Sequence, residues 1–342
     1  MQSFVETLEK CEAEAGGDAK ARTRARSNAR ASRPKAGSRN THEASVAGVR
    51  ITHPERILYP EQGITKLALA RYYEAIEPWI LPYVERRPLA LLRCPEGRSG
   101  QCFFQKHPGK TVDPAVARFD IREKSGTEQY LYVRTLADLV RLVQIGVLEI
   151  HVWGSRVERL EKPDMLVFDL DPGDGVAWRD VMRGAREVAE RLEQVGLATF
   201  VRTTGGKGLH VVAPLAPRAD WDVVKEFART VAEGQATDDP RRFTANMAKA
   251  KRHGRIFLDY LRNARGATAI ASYSTRAREG APVAVPVRWQ ELSSAMTSDR
   301  YNVENVRRRL GAMRSDPWDG FADGARPIDA AMLRAVGLRR AG

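Results

Sequence analysis

The amino-acid sequence predicts a mixed α/β fold of the α+β kind, a largely antiparallel sheet flanked by helices. Three observations carry this expectation. Apolar runs of strand length recur through the second half: MLVFDLD (165–171), ATFVRT (198–203), LHVVAPL (209–215) and RIFLDYL (255–261). Between the first two, Val181, Ala185, Val188, Leu192 and Val195 recur at helical spacing and mark one face of an amphipathic helix. The turn TGGKG (204–208) is too short for the crossover that parallel strands require, so the strands on either side of it pair antiparallel.

The elements follow in order along the chain. Residues 1–45 read as a basic tail. Between Lys20 and Arg39 lie eight Lys or Arg and no acid, which is eight of the chain's thirteen formal net positive charges. A stretch so poor in apolar surface is expected to be disordered and to offer salt-sensitive affinity for phosphate backbones. A globular domain is expected over 46–300. There Thr65 can cap a helix carrying Leu67, Tyr72 and Ile76, before Pro78 and Pro82 interrupt. PLALLRC (88–94) reads as a strand, CFFQKHPG (102–109) as an aromatic stretch, 136–145 as a helix and LEIHVW (148–153) as a strand. A further helix is expected from about Trp221 to Glu233, and a helical extension over 301–342.

Composition excludes several classes. No apolar run approaches the roughly 20 residues that cross a bilayer, and the N-terminus MQSFVETLEKCEAEAGG lacks the apolar core of a secretory signal. Cys11, Cys94 and Cys102 show neither metal spacing nor an even disulfide framework, so a reducing cytoplasm is the expected compartment.

Two acids end the most apolar strand. Asp169 and Asp171 stand at i and i+2, on one face, and two carboxylates side by side repel unless a cation lies between them. Their hard oxygens suit Mg²⁺ or Mn²⁺. Asp259 interrupts a separate strand and supplies the third carboxylate that a two-metal site requires, with Arg262 and Asn263 just after it. In TTGGKGLH (203–210), consecutive glycines let backbone N–H groups approach phosphate oxygens, and Lys207 adds a point charge. A Walker A loop is excluded, because Gly208 follows that lysine and a strand, not a helix, comes next. Arg276 and Arg278 again stand at i and i+2, and guanidinium forks suit a polyphosphate. In FFQKH (103–107), Phe103 and Phe104 lie beside Lys106 and His107, with one phenyl ring expected to face out as a stacking platform. His151, within EIHVW, reads by itself as a core histidine.

Taken in order, ITHPERILYP with ITK, RCPEG with FFQKH, EIHVW, VFDLDPG, TTGGKGLH, FLDYLRN and YSTRAREGAPV resemble the polymerase domain of bacterial end-joining ligases (ligase D), a branch of the archaeo-eukaryotic primase superfamily. The likeness runs from about Val46 to about Leu292. It implies a primase-polymerase fold in which Asp169, Asp171 and Asp259 bind two divalent ions, Mn²⁺ or Mg²⁺, and catalyse nucleotidyl transfer. It implies that Thr204, Lys207 and His210 hold the triphosphate with Arg276 and Arg278 behind them, and that Phe103 or Phe104 stacks on a base. Lys106, His151 and Arg262 join this nucleotide site. Arg56 and Lys66 match positions that grip the 5′-phosphate at a DNA break. The implied partners are DNA with gaps or broken ends, NTP or dNTP, a separate ligase and a Ku-type end-binding protein, in a bacterial cytoplasm and with no membrane. Family members typically prefer ribonucleotides and Mn²⁺.

Two positions depart from the family pattern. Thr204 stands where Ser is common and keeps the hydroxyl. Ser272 stands where Pro is frequent and is expected to loosen the turn before the arginine pair. No segment reads as an adenylation motif, which assigns ligation to another protein. Two alternatives compete: a non-catalytic module that binds and bridges DNA ends, and a haloacid-dehalogenase-type phosphatase with Asp169 as nucleophile. The phosphatase pattern wants Thr or Val where Gly173 stands.

Overall fold

The computed structural model describes residues 44–338, so the basic tail lies almost wholly outside the described residues. Helix α1 (Lys66–Ala75) opens on Thr65, whose hydroxyl accepts from the Ala68 amide at 3.1 Å. It buries Leu69, Tyr72 and Tyr73. The prolines that follow do not end the helical region. A second helix, α2 (Glu77–Val84), takes Pro78 in its first turn, where no amide hydrogen is needed, and carries Pro82 further in.

Strand β1 (Leu89–Arg93) and β2 (Phe103–Gln105) come next, then a hairpin of β3 (Ala117–Glu123) and β4 (Gly126–Tyr132). This polar hairpin was not expected from the sequence. Helix α3 (Leu136–Gln144) leads into β5 (Val147–Val152) and β6 (Met165–Pro172). Helix α4 (Trp178–Gln194), β7 (Phe200–Thr203), β8 (Leu209–Pro214) and α5 (Trp221–Asp238) follow. The later strands are β9 (Phe243–Thr244), β10 (Ile256–Asp259), β11 (Ala269–Ile270) and β12 (Pro286–Val287).

Two sheets organise ten of these strands, and β3 and β4 pair as a separate hairpin. A six-stranded sheet has the order β9-β10-β6-β8-β7-β12, antiparallel throughout except for the β9/β10 pair. A four-stranded antiparallel sheet has the order β11-β5-β1-β2. In β6, Leu166, Phe168 and Leu170 are fully buried and alternate with Val167, Asp169 and Asp171, as a strand with one face in the core must. Helices α4 and α5 pack on the six-stranded sheet.

The structure corrects the reading of the cysteines. Cys94 and Cys102 form a disulfide, with their Cα atoms 4.3 Å apart. The register explains it: Arg93 pairs with Phe103, so residues 94 and 102 are the next facing pair at the turn between β1 and β2.

Beyond residue 300 the helical expectation holds only for α6 (Val306–Ala312) and α7 (Ala330–Ala335). Pro317, Gly320, Gly324 and Pro327 fall between them, and the chain there runs through turns. This segment packs on the central sheet. Trp318 is buried and its indole donates to the Val201 carbonyl at 2.9 Å.

Candidate active site

Strand register assembles the acids. Asp259 of β10 faces Asp169 of β6, which faces His210 of β8, which faces Arg202 of β7. Directly opposed residues project to the same side of a sheet, so four neighbouring strands place these side chains in one row. Asp171 lies two residues along β6 on that same side.

The row is a connected polar network. Arg202 is fully buried, and its Nε and Nη2 reach His210 Nδ1 at 3.0 and 2.9 Å. A guanidinium only donates, so Nδ1 accepts and the ring proton sits on Nε2, 3.3 Å from Asp169 Oδ1. Arg262 lies on the other side, its Nη2 3.1 Å from Asp169 Oδ2 and its Nε 3.2 Å from Asp259 Oδ2. Asp171 is half-exposed and meets Arg252 Nη1 at 3.3 Å.

These surroundings pull the carboxylates apart. Burial alone would raise Asp169, but His210 and Arg262 outweigh it and hold that carboxyl well below the usual range. Asp171 is raised by burial and by the charge of Asp169, and Asp259 by burial that Arg262 only partly offsets. Burial, reinforced by Arg202, brings His210 down to about 4.

A pH dependence follows from the histidine. His210 must stay neutral in the fold, whereas an exposed histidine takes up its proton near pH 6.5. Its contribution to stability is therefore complete above about pH 6.5 and is lost as pH falls towards about 4. The loss amounts to about 3 kcal/mol. Urea denaturation of the metal-free protein at pH 7 and pH 4.5 should show this slope, and His210→Gln should flatten it. An equal slope in the variant would remove His210 as its source.

The glycine-rich turn forms one wall of a cleft of ≈ 230 Å³. Thr204, Gly206, Lys207, Gly208 and His210 line it together with Asp169 and Asp171. Lys207 is largely exposed and 3.8 Å from Asp174. The Thr204 hydroxyl is engaged in the turn itself, 3.1 Å from the Gly208 carbonyl and 3.2 Å from Ser298 Oγ. Gly205 takes a φ of +65°. A Cβ on Gly208 would stand 2.1 Å from the Leu170 carbonyl oxygen, backbone of the acid-bearing strand itself. Gly208→Ala should therefore push the turn off β6 and destabilise the protein by about 3 kcal/mol. A thermal melt within 1 °C or so of the parent would show that the turn has room to move.

Arg262, Arg276, Arg278, His151, Ala269 and Ile270 complete the lining. Nine residues nominated from the sequence thus meet in one cleft. His151 is mostly buried, its side chain 13% exposed, yet it reaches the cleft from β5 and so is not simply a core histidine. Asp259 belongs to the row through Arg262 but does not line the cleft.

The other nominated residues lie elsewhere. Phe103 and Phe104 are both exposed, at 38% and 53%, because β2 is an edge strand. Phe104 approaches the cleft, its ring centroid 5.5 Å from that of His151, whereas Phe103 lies over the Arg93 guanidinium. Lys106 is exposed just past the end of β2. Arg56 and Lys66 come together away from the cleft. Arg56 donates to the Pro95 carbonyl and to Glu96, and the ammonium of buried Lys66 donates to the carbonyls of Thr52 and Gln144.

Four residues of the site escaped the sequence reading: Arg202, Arg252, Ser298 and Glu149. Ser298 Oγ reaches the Gly208 carbonyl at 2.5 Å from 90 residues away. Ser272, expected to loosen its turn, is buried and takes a bond from Arg202 Nη1 at 3.2 Å, which ties the turn to the row.

Among the described residues no group of three or more His, Cys, Asp or Glu is arranged to hold a metal ion. The cation that balances Asp169 and Asp259 in this structure is the Arg262 guanidinium. The donor set nonetheless fits a hard divalent ion. It offers carboxylate oxygens on neighbouring strands, two of them on acids held above their ordinary range for want of full compensation.

The fold is that of a primase-polymerase-type domain. The chain belongs to the LigD primase-polymerase domain family, whose pattern residues 65–318 match. It is 39% identical over 295 residues to the multifunctional non-homologous end joining protein LigD of Pseudomonas aeruginosa, covering 86% of this chain and 35% of that protein. The LigD of Mycolicibacterium smegmatis is 36% identical over 247 residues, 72% of this chain and 32% of the relative. The chain thus spans about a third of the length of these relatives. The polymerase domain of Mycobacterium tuberculosis ligase D, solved in complex with DNA, superposes with a TM-score of 0.75 at 30% identity, covering 81% of this chain and 99% of that one. No helix among the described residues is long and apolar enough to cross a membrane.

Proposed function

We propose that this chain adds nucleotides to a primer 3′-hydroxyl at gaps or double-strand break ends, as the polymerase component of non-homologous end joining. The observation that supports this most is the cross-strand row of Asp259, Asp169 and His210, with Asp171 beside it and a glycine-backed lysine opposite. In the reaction the primer 3′-oxygen forms a bond to the α-phosphorus as the bond to pyrophosphate breaks, and the hydroxyl proton is lost. Asp169, Asp171 and Asp259 would hold the divalent ions, two of Mn²⁺ or Mg²⁺, which supply Lewis acidity to the hydroxyl and to the leaving phosphates.

The remaining roles fall to side chains. Lys207 and Arg278, both exposed on the cleft wall, neutralise the triphosphate, and Arg276 orients it from a fixed position. Neutral His210 keeps its Nε2 proton directed at Asp169, on the wall of the same cleft. Phe104 offers a stacking face beside His151, and exposed Lys106 lies just beyond it. Arg56 and Lys66, away from the chemistry, suit a terminal 5′-phosphate, so affinity for a broken end is carried by residues other than the acids. A ligase activity and a Ku-type end-binding protein complete the proposed pathway.

Extension of a 5′-phosphorylated gapped duplex with ribo- and deoxynucleotides, each with Mg²⁺ or Mn²⁺, tests this reading. Incorporation is expected, strongest with ribonucleotides and Mn²⁺. Tight DNA binding with no incorporation under any of these conditions would instead make the chain an end-bridging module.

A further inference from the structure

A buried acid stands where an anion-binding site should least want one. Glu149, on β5, is only 4% exposed and does not itself line the cleft. Its Oε2 lies 2.8 Å from His151 Nε2 and 3.1 Å from Arg276 Nε, and its Oε1 accepts from the Ala277 amide at 2.9 Å. Arg276 in turn donates through Nη1 to the Thr204 carbonyl at 2.7 Å. The sequence His151, Glu149, Arg276, Thr204 is thus one polar chain. It runs from the four-stranded sheet, beside Phe104, to the glycine-rich turn of the six-stranded sheet.

A negative charge here weakens the field that Arg276 offers to phosphate, so the benefit must lie in orientation. A carboxylate only accepts, so His151 carries its proton on Nε2 and turns an accepting Nδ1 away from Glu149. Arg276 has Nη1 committed to the Thr204 carbonyl, and its buried Nε is held at ion-pair distance from Glu149 without a hydrogen bond. One side chain therefore sets the orientation of two cleft residues at opposite ends. We propose that Glu149 is a positioning residue that couples the two ends of the cleft, so that His151 and Arg276 engage the same nucleoside triphosphate. This inference rests on the nucleotidyl-transfer reading above.

Glu149→Gln keeps the shape but removes the charge and turns an amide NH₂ towards donors that need an acceptor. The expected result is a KM for ATP raised about tenfold in gap filling, the effect of losing a charge-assisted hydrogen bond. The kcat should stay within about twofold, and affinity for the gapped duplex should not change. In an Arg276→Lys background the same substitution should add less than about twofold, because the coupling has already been cut.

A brace that merely held the sheets together would lower thermal stability and kcat and leave KM alone. If Glu149→Gln does not fold, Glu149→Asp, which keeps the charge but shortens the reach, should still raise KM selectively. A folded variant with the parent KM overturns the inference. Failure of the parent protein itself to incorporate nucleotide overturns the underlying reading instead.

Discussion

Asp171→Ala is expected to reduce nucleotide incorporation by about a thousandfold or more, the several kcal/mol that metal-assisted charge stabilisation contributes. The protein should keep its fold and nearly all of its affinity for a gapped duplex. The environment of the residue dictates this combination. Asp171 is half-exposed at the end of β6, and Arg252 is the side chain that pairs with it. Its removal leaves Arg252 bonded to the Met247 carbonyl and stacked over Phe257, and leaves Asp169 with Arg262 and His210. Asp169→Ala would be a poorer test, because it would also strand Arg262 and His210 inside the sheet row. Primer extension and fluorescence anisotropy on the same preparation separate the two readouts. Extension at the parent rate would show that Asp171 takes no part in the chemistry.

Arg262→Met should destabilise the metal-free protein. Asp169 and Asp259 are opposed across β6 and β10, and both are mostly buried. The guanidinium between them is the compensation closest to Asp259. Removing one partner of such a set leaves buried charge unpaired, with losses of 3–5 kcal/mol in fully buried cases. Arg262 is partly exposed, so about 2–3 kcal/mol is the expected cost in the metal-free protein. Part of this should be recovered by a divalent cation, because the freed carboxylates then bind what the arginine had offset. Thermal melts with EDTA and with Mn²⁺ should therefore diverge more for the variant than for the parent. Identical melts in EDTA would mean that the two aspartates do not feel each other.

The acids were legible in the sequence because strand alternation is local. Asp169 and Asp171 share a side by spacing alone, whereas the pairing of β6 with β8 that sets His210 beside Asp169 is not local. Arg202 and Glu149 were not legible. Each sits in an apolar strand as an isolated charge, and its meaning depends on register across strands that sequence spacing does not reveal. Ser298 is harder still, since it reaches the turn from a distant loop. The Cys94–Cys102 pair carried a usable signal, two cysteines flanking a Pro-Glu-Gly turn between strands, but a count of three hid it. The β3–β4 hairpin was overlooked because its alternation, ARFDIRE against GTEQYLY, is mostly polar.

The Trp318 indole lies under the Arg202 guanidinium, 5.8 Å from ring centre to carbon, and donates to the backbone of β7. The segment around Trp318 is therefore flooring beneath the row of Arg202 and His210, not a detachable appendage. Anyone trimming this chain near residue 300 would open the back of Arg202 to water and loosen the imidazole it aims. A tether to another module belongs after residue 338, where cutting and splicing leave that flooring in place.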